Sequence, residues 1–322
     1  MTIDHKIQSL LTTAVARLRN GGLVAFPTET VYGLGADATN ARAVAGIYSA
    51  KGRPSFNPLI VHVPSAEQAW LYGVRTPLAE KLATAFWPGP LTLVLNLSAD
   101  AGITDLALAG LTTIALRVPS HPVAQDLLRA VGAPIAAPSA NKSGRVSPTT
   151  AAHVAADFGD DGLMILDGGA TTVGLESTIV DATGAHPVLL RPGSITRADI
   201  ERVAGAPVVS AQHLDAAPTA PGQLASHYAP RATLRLNATD VRSGEALLAF
   251  GPQAAPRPAT TFNLSPVGDL TEAATRLFSA LRWLDAQGTA VIAVQPIPQD
   301  GLGEAINDRL NRAAAPRQQH PE

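Results

Sequence analysis

A chain of 322 residues is longer than most single domains and predicts two. Hydrophobic residues at 46% against 16% charged exclude a disordered chain, and a net charge of −2 excludes a broad nucleic-acid-binding face while leaving room for a local basic pocket. With no cysteine there is no disulfide framework or thiolate chemistry, and with no bilayer-length apolar run and no signal-like start, a soluble cytoplasmic protein is the expectation.

In chain order, Ile7, Leu10, Leu11, Ala14, Val15 and Leu18 mark one face of a helix, closed by Asn20-Gly21-Gly22. Residues 23–26 are a short apolar run that predicts a buried strand. Residues 27–37, Pro-Thr-Glu-Thr-Val-Tyr-Gly-Leu-Gly-Ala-Asp, read as a loop dense in hydroxyls and glycines. It is either a polar ligand site or a plain strand-to-helix connection. Residues 41–50 are helical, with Val44, Ile47 and Tyr48 on one face. Lys51-Gly52-Arg53-Pro54 follows, then the turn Asn57-Pro58 and an alternating strand, 59–63, that carries His62. The two cations complement a helix C-terminus, worth about 0.3–1 kcal/mol, or they serve a site. His62 is likewise a structural strand histidine or a substrate contact.

Ser65-Ala66-Glu67-Gln68 and Thr76-Pro77 start two further helices, and Trp87-Pro88-Gly89-Pro90 stops the second. Residues 91–97 and 114–118 are strands. In the second, Arg117 shares a face with Ala115, opposite Ile114, Leu116 and Val118. A charge there needs a partner carboxylate or a ligand carboxylate or phosphate. His121-Pro122 leads a helix through Val131, and residues 134–137 are strand-like. They open into Pro138-Ser139-Ala140-Asn141-Lys142-Ser143-Gly144-Arg145-Val146-Ser147-Pro148, which repeats the Lys, Gly and Arg chemistry of residues 51–53. Ser147 reads as the N-cap of a helix over 149–158, and such an N-terminus beside cations is also an anion site. Residues 174–181 pass from loop to strand, 188–191 form a strand, and Thr196 caps a helix with Ile200 and Val203.

Residues 209–232 hold Pro218, Pro221, Gly222 and Pro230 without periodicity and read as a linker, long enough to suggest a functional lid. They also carry Ser226-His227-Tyr228. Beyond them, apolar strands at 246–250 and 291–294 alternate with helices starting at Asp269 and over 303–315. The division is therefore residues 1–208, a linker at 209–232, and a smaller α/β unit at 233–322.

Six cations lie on loops or strand ends: Lys51, Arg53, Arg117, Lys142, Arg145 and Arg191. If they converge, each pair about 7 Å apart repels by roughly 2.4 kcal/mol at an effective dielectric near 20, which a polyanion such as a nucleoside triphosphate relieves. No Gly-x-x-x-x-Gly-Lys-Ser/Thr loop is present, so an ordinary P-loop is excluded.

Pro27-Thr28-Glu29-Thr30-Val31-Tyr32-Gly33-Leu34, Lys51-Gly52-Arg53-Pro54, Asn57-Pro58-Leu59, Pro138-Ser139-Ala140-Asn141, Ser177-Thr178-Ile179 and Arg191-Pro192-Gly193 occur in one order. As a set they resemble the threonylcarbamoyl-AMP synthase family, built on the YrdC-type domain. Pro221-Gly222, His227-Tyr228-Ala229-Pro230 and Gly301-Leu302-Gly303-Glu304-Ala305-Ile306-Asn307-Asp308-Arg309-Leu310 resemble the linker and C-terminal domain of its long form. At Gln223-Leu224-Ala225-Ser226 the chain departs from relatives that carry methionine and basic residues.

The resemblance implies a YrdC-like α/β fold, a twisted open mixed sheet with helices around a basic concave cavity, plus a Rossmann-like C-terminal domain. It implies that L-threonine, bicarbonate or CO2, and ATP give threonylcarbamoyl-AMP and pyrophosphate, a nucleotidyl transfer that feeds threonylcarbamoyladenosine formation at tRNA position 37. Thr30, His62, Arg117 and Ser177 are then expected to hold threonine. Arg53, Asn57, Thr113, Ala137, Ser139, Asn141, Lys142, Ser147, Arg191, His227 and Tyr228 are expected to hold ATP, with Lys51 and Arg53 as catalytic cations. Mg2+ would arrive with the ATP phosphates, without a dedicated protein site. The product would pass to a tRNA-modifying transferase, with no membrane and no strong direct tRNA contact. An RNA-binding module and a related carbamoyl-adenylate-forming enzyme are the alternatives.

Overall fold

The computed structural model describes residues 5–159, 162–210, 226–252 and 258–316. Among these residues the N-terminal part forms strands β1 (Val24–Phe26), β2 (Gly33–Asp37), β3 (Ile60–His62), β4 (Leu91–Asn96), β5 (Thr113–Arg117), β6 (Ile135–Ala136), β7 (Met164–Ile165), β8 (Thr178–Asp181), β9 (Val188–Arg191) and β10 (Val209–Ser210). They join in one mixed sheet of order β10-β9-β8-β4-β5-β3-β6-β2-β1-β7. The C-terminal part adds β11 (Thr233–Arg235), β12 (Ala246–Ala249), β13 (Thr261–Asn263) and β14 (Val291–Val294), paired in parallel as β11-β14-β12-β13.

One face of the large sheet is apolar throughout its centre. Val61, Leu93, Leu95, Ile114, Leu116 and Val180 pack there against Val44 and Ile47 of the helix Ala41–Lys51 and Leu78 and Leu82 of the helix Pro77–Phe86. The other face is divided. Toward β1, the helices His5–Arg19 and Pro122–Val131 cover Val24, Phe26 and Ile135 with Ala14, Leu18, Leu127 and Leu128. In the middle no helix is needed, because the sequence places polar groups there. His62 on β3 is in register with Arg117 on β5, which is in register with Thr92 on β4. The alternation in residues 114–118 therefore does what it predicts: it sends Arg117 to the face opposite Leu116.

Several local signals act as read. Ser65, Thr76 and Thr196 cap their helices, and Thr196 forms a capping box with Asp199. Gly52 ends the helix Ala41–Lys51 in the left-handed region.

Three readings need correction. Residues 33–37 are a strand, not loop. A Cβ on Gly35 would lie 2.8 Å from Phe26 and 2.9 Å from Ile135, so this glycine serves close packing of a strand rather than a turn. Ser147 does not cap the following helix, which spans Ala151–Phe158 with Thr150 as its cap. Ser147 is instead drawn to Glu176. Residues 209 and 210, read as linker, pair with β9 as β10. The strands β7, β11 and β13 are two or three residues long, below the length at which alternation is visible. Pro218, Pro221, Gly222 and residues 223–225 lie outside the described residues.

The two parts share a core. Val31, Val146 and Leu175 from N-terminal loops join Leu234, Leu248, Leu277, Phe278, Ile292, Ile306 and Leu310 of the C-terminal part. Gly174, at φ +77°, lets Thr275 approach so closely that a Cβ would sit 2.4 Å from its carbonyl oxygen.

Candidate active site

A cavity of about 50 Å³ opens beside the polar row of the sheet, lined by Thr30, His62, Arg117, Ser177, Arg53 and Arg191 among others. Its floor is set by register, and its walls by loops whose local chemistry is explicit. The Thr28 hydroxyl accepts the N–H groups of Thr30 and Val31, both at 3.2 Å, and donates to the Val31 carbonyl at 2.6 Å. This hydroxyl turn aims Thr30 at Arg117.

Arg117 is not a lone cation. Its NH2 donates to Glu29 Oε1 at 2.7 Å, its NH1 to Thr30 Oγ1 at 2.8 Å, and its Nε to the Gly89 carbonyl at 3.4 Å. The second Glu29 oxygen accepts the Ser120 N–H at 3.1 Å. A guanidinium has five N–H groups, so two remain for a ligand after these three bonds. Next to it, burial and then the Arg117 charge push His62 down to about pKa 3. His62 is thus a neutral imidazole, and its Nδ1 has no partner among the described residues. Thr92 and Ser177 share a hydroxyl bond of 2.7 Å, and Arg191 donates to the Ser177 carbonyl at 2.9 and 3.1 Å and to its hydroxyl at 3.2 Å.

The two Lys-Gly-Arg loops meet, as their shared chemistry suggests. Lys51 is buried and donates to the carbonyls of Ser139 and Asn141, while the Ser143 N–H returns to the Lys51 carbonyl at 2.8 Å. Lys142 donates to the Ala50 carbonyl at 2.9 Å. The cation at the end of this helix is therefore Lys142 from the other loop, and Lys51 reaches away from its own helix. Burial first, and then the Arg53 charge, draw the Lys51 pKa well down. Arg53 donates to the carbonyls of Asn57 and Pro58, and burial lowers its pKa to about 10.

His227 and Tyr228 close the cavity. The His227 N–H donates to the Arg312 carbonyl at 3.1 Å and the Ala229 N–H to the Gly144 carbonyl at 2.8 Å, so the segment is tied to both parts of the chain. Tyr228 adopts φ +61° and stacks on Phe278 with ring centroids 5.6 Å apart. Arg53 Nε, both polar atoms of the Asn57 amide, His62 Nδ1, His227 Nδ1 and the Tyr228 hydroxyl are buried without a partner among the described residues. Each such group costs about 1–3 kcal/mol, so this concentration marks a binding site rather than packing.

Comparison with known proteins agrees with this geometry. The family model described as "Telomere recombination" matches residues 16–193, and that of the threonylcarbamoyl-AMP synthase C-terminal domain matches residues 195–315. The threonylcarbamoyl-AMP synthase of Pyrococcus abyssi is 43% identical over 94% of this chain and 94% of that protein, and that of Bacillus subtilis 42% over 95% and 93%. The chain belongs to the threonylcarbamoyl-AMP synthase family. A crystal structure of P. abyssi Sua5 complexed with L-threonine superposes with a TM-score of 0.87 at 40% identity, covering 98% of this chain and 96% of that one.

Of the residues expected to serve a synthase site, Thr30, Arg53, His62, Arg117, Ala137, Ser139, Ser177, Arg191, His227 and Tyr228 line the cavity. Lys51, Asn57, Asn141 and Ser147 are buried but do not line it, and Lys142 lines a second cleft. Thr113 sits half-exposed at the start of β5, two residues before Ala115 and four before Arg117 on the same face. Arg145 is exposed and borders a separate cleft. Sequence reasoning missed Glu29, Glu176 and Arg309. Glu29 and Arg309 lie inside motifs that resemble the synthase family and Glu176 directly precedes one, but nothing local shows that a carboxylate will be buried against an arginine.

Proposed function

We propose that this protein is an L-threonylcarbamoyladenylate synthase, a nucleotidyltransferase that joins L-threonine, bicarbonate or CO2, and ATP into threonylcarbamoyl-AMP and pyrophosphate. The observation that carries this reading is the single cavity in which a threonine-sized polar row, Thr30, His62, Arg117 and Ser177, adjoins the cations Arg53 and Arg191.

The steps follow from these groups. The two remaining Arg117 N–H groups take the threonine carboxylate, and neutral His62 and the hydroxyls of Thr30 and Ser177 take its ammonium and hydroxyl. The ammonium loses one proton to solvent, and the amine attacks CO2 and releases a second, so that a carbamate forms. A carbamate oxygen then attacks the α-phosphorus of ATP and pyrophosphate leaves, its charge met by Arg53 and Arg191. The protein's part is placement and charge stabilisation, and no covalent nucleophile is required. Mg2+, held by the ATP phosphates themselves, would neutralise part of their charge. The cavity carboxylates do not suit a cation, since Glu29 is taken by Arg117 and Ser120, and Glu176 by Arg309 and Ser147.

A cavity of about 50 Å³ is far below the roughly 300–1,000 Å³ of small-molecule sites. Nucleotide entry therefore requires His227 and Tyr228 to move, and their return would shield the mixed anhydride from water. This supports a lid role for the segment that carries His227 and Tyr228 and an anchoring role for residues 233–322, with the N-terminal sheet, residues 209 and 210 included, as the catalytic part. We place the reaction in the cytoplasm, before a tRNA-modifying transferase; among the described residues no helix is long and apolar enough to cross a membrane. Pyrophosphate release from ATP, with threonine and bicarbonate each omitted in turn, tests the assignment. Release that needs both is expected, and equal release without threonine rejects it.

A further inference from the structure

The helix Leu302–Ala314 buries Ala305, Ile306, Leu310 and Ala313 in the C-terminal core. Arg309, on the same helix and fully buried, instead reaches the N-terminal part. Its Nε donates to Glu176 Oε2 at 2.8 Å and its NH1 to Asp308 Oδ2 at 2.7 Å. Its guanidinium carbon lies 5.2 Å from the centre of the Tyr228 ring. Arg312 holds the other Asp308 oxygen at 3.0 Å, and its carbonyl accepts the His227 N–H. One turn of a C-terminal helix thus touches a cavity-lining carboxylate and both residues that close the cavity.

A buried ion pair is a poor device for docking two parts of a chain, because desolvation offsets most of its attraction. Docking is already served by the shared apolar core and the close Gly174–Thr275 contact. What the pair adds is position. Glu176 precedes Ser177, whose carbonyl and hydroxyl accept from Arg191. A free carboxylate on this wall would repel phosphate. Arg309 neutralises it, and the Ser147 hydroxyl occupies its second oxygen.

We propose that Arg309 is a positioning residue for the nucleotide end of the cavity, acting through Glu176 and Tyr228, so that the C-terminal part sets ATP affinity as well as anchoring the linker. The proposal rests on the synthase reading above. Steady-state kinetics and Tm of full-length Arg309→Met, Arg309→Lys, Glu176→Gln and the Arg309→Met/Glu176→Gln double variant test it. Arg309→Met should raise the ATP KM roughly tenfold and leave the threonine KM within about twofold of wild type, and Arg309→Lys should recover part of the loss. The double variant should be no worse than Arg309→Met, since both changes remove one contact. An unchanged ATP KM in folded Arg309→Met, or equal rises in both KM values, overturns the proposal. If Arg309→Met does not fold, Glu176→Gln decides, and an unchanged ATP KM there overturns it as well. Wild-type turnover without threonine would reject the synthase reading instead, and calorimetric ATP affinities of the same variants would still judge Arg309.

Discussion

Arg117–Glu29 and Arg309–Glu176 both set a guanidinium on a buried carboxylate beside the same cavity, but they are built differently. The first lies within the N-terminal part, between β5 and the loop after β1. The second joins a C-terminal helix to the loop before β8. Around Arg117 the sheet supplies rigidity, and the pair prepares a fork with N–H groups to spare. Around Arg309 the partners are loops, including the segment that closes the cavity, and the pair supplies the rigidity itself. Breaking either should cost stability, because each leaves a buried carboxylate without its arginine, but the first should act on threonine use and the second on ATP.

The largest expected effect is at Arg117. Arg117→Ala leaves Glu29 buried with only the Ser120 N–H, which should cost about 3–5 kcal/mol of stability. Loss of a charge-assisted bond should also raise the threonine KM roughly ten- to a hundredfold, more than the ATP KM. Denaturant unfolding and steady-state kinetics measure the two. Unchanged stability would mean that Glu29 finds another partner, and an unchanged threonine KM would reduce Arg117 to a structural arginine.

Lys51 and Arg53 sharpen the contrast between support and site. From the sequence the two read alike, as a catalytic pair. The structure separates them, since Lys51 is buried on two carbonyls of the facing loop and Arg53 lines the cavity. Lys51→Met should lower stability by about 2–4 kcal/mol, through two lost charge-assisted bonds and two carbonyls left unpaired. Arg53→Ala should lower turnover with a smaller Tm loss, because the Asn57 carbonyl that it leaves keeps the Tyr48 hydroxyl at 3.2 Å. Equal Tm losses in both variants would remove the distinction.

The reason that these residues look alike in sequence is general. What local chemistry determines was legible: the caps at Ser65, Thr76 and Thr196, and the alternation that turns Arg117 to one face. What tertiary contact determines was not. Gly35 reads as loop because its role is to admit Phe26 and Ile135, residues of other strands. Ser147 has every local mark of an N-cap, and a carboxylate 29 positions later outbids that role. The partners of Arg117 and Glu176 lie 88 and 133 residues away, beyond any periodicity.

Two histidines give the cavity a pH signature. Burial lowers the folded-state pKa of His62 to about 3, and that of His227 well below its ordinary value of 6.5. As pH falls below 6.5 the unfolded chain binds protons that the folded chain does not, so stability rises with pH across this window and is lost toward acid. Each histidine contributes about 1.4 kcal/mol per pH unit while its two states differ. Urea unfolding between pH 7 and 5 should show this slope, and His62→Gln should remove one histidine's share. A slope unaltered by His62→Gln would mean that His62 is exposed to solvent protons in the folded protein.

Tyr228 offers the smallest and cleanest separation of binding from folding. Its ring stacks on Phe278 and meets the Arg309 guanidinium, so the ring is held by the C-terminal part. Its hydroxyl is buried without a partner among the described residues. Removing an unpaired buried hydroxyl while keeping the ring should leave stability unchanged or raise it by up to about 1 kcal/mol. If the hydroxyl exists to meet the nucleotide, Tyr228→Phe should raise the ATP KM several-fold while Tm holds or rises. A fall in both Tm and affinity would show that the hydroxyl serves the fold. A rise in Tm with an unchanged ATP KM would leave the ring alone to close the cavity, and the polar contact to ATP would pass to His227, whose Nδ1 is likewise buried without a partner among the described residues.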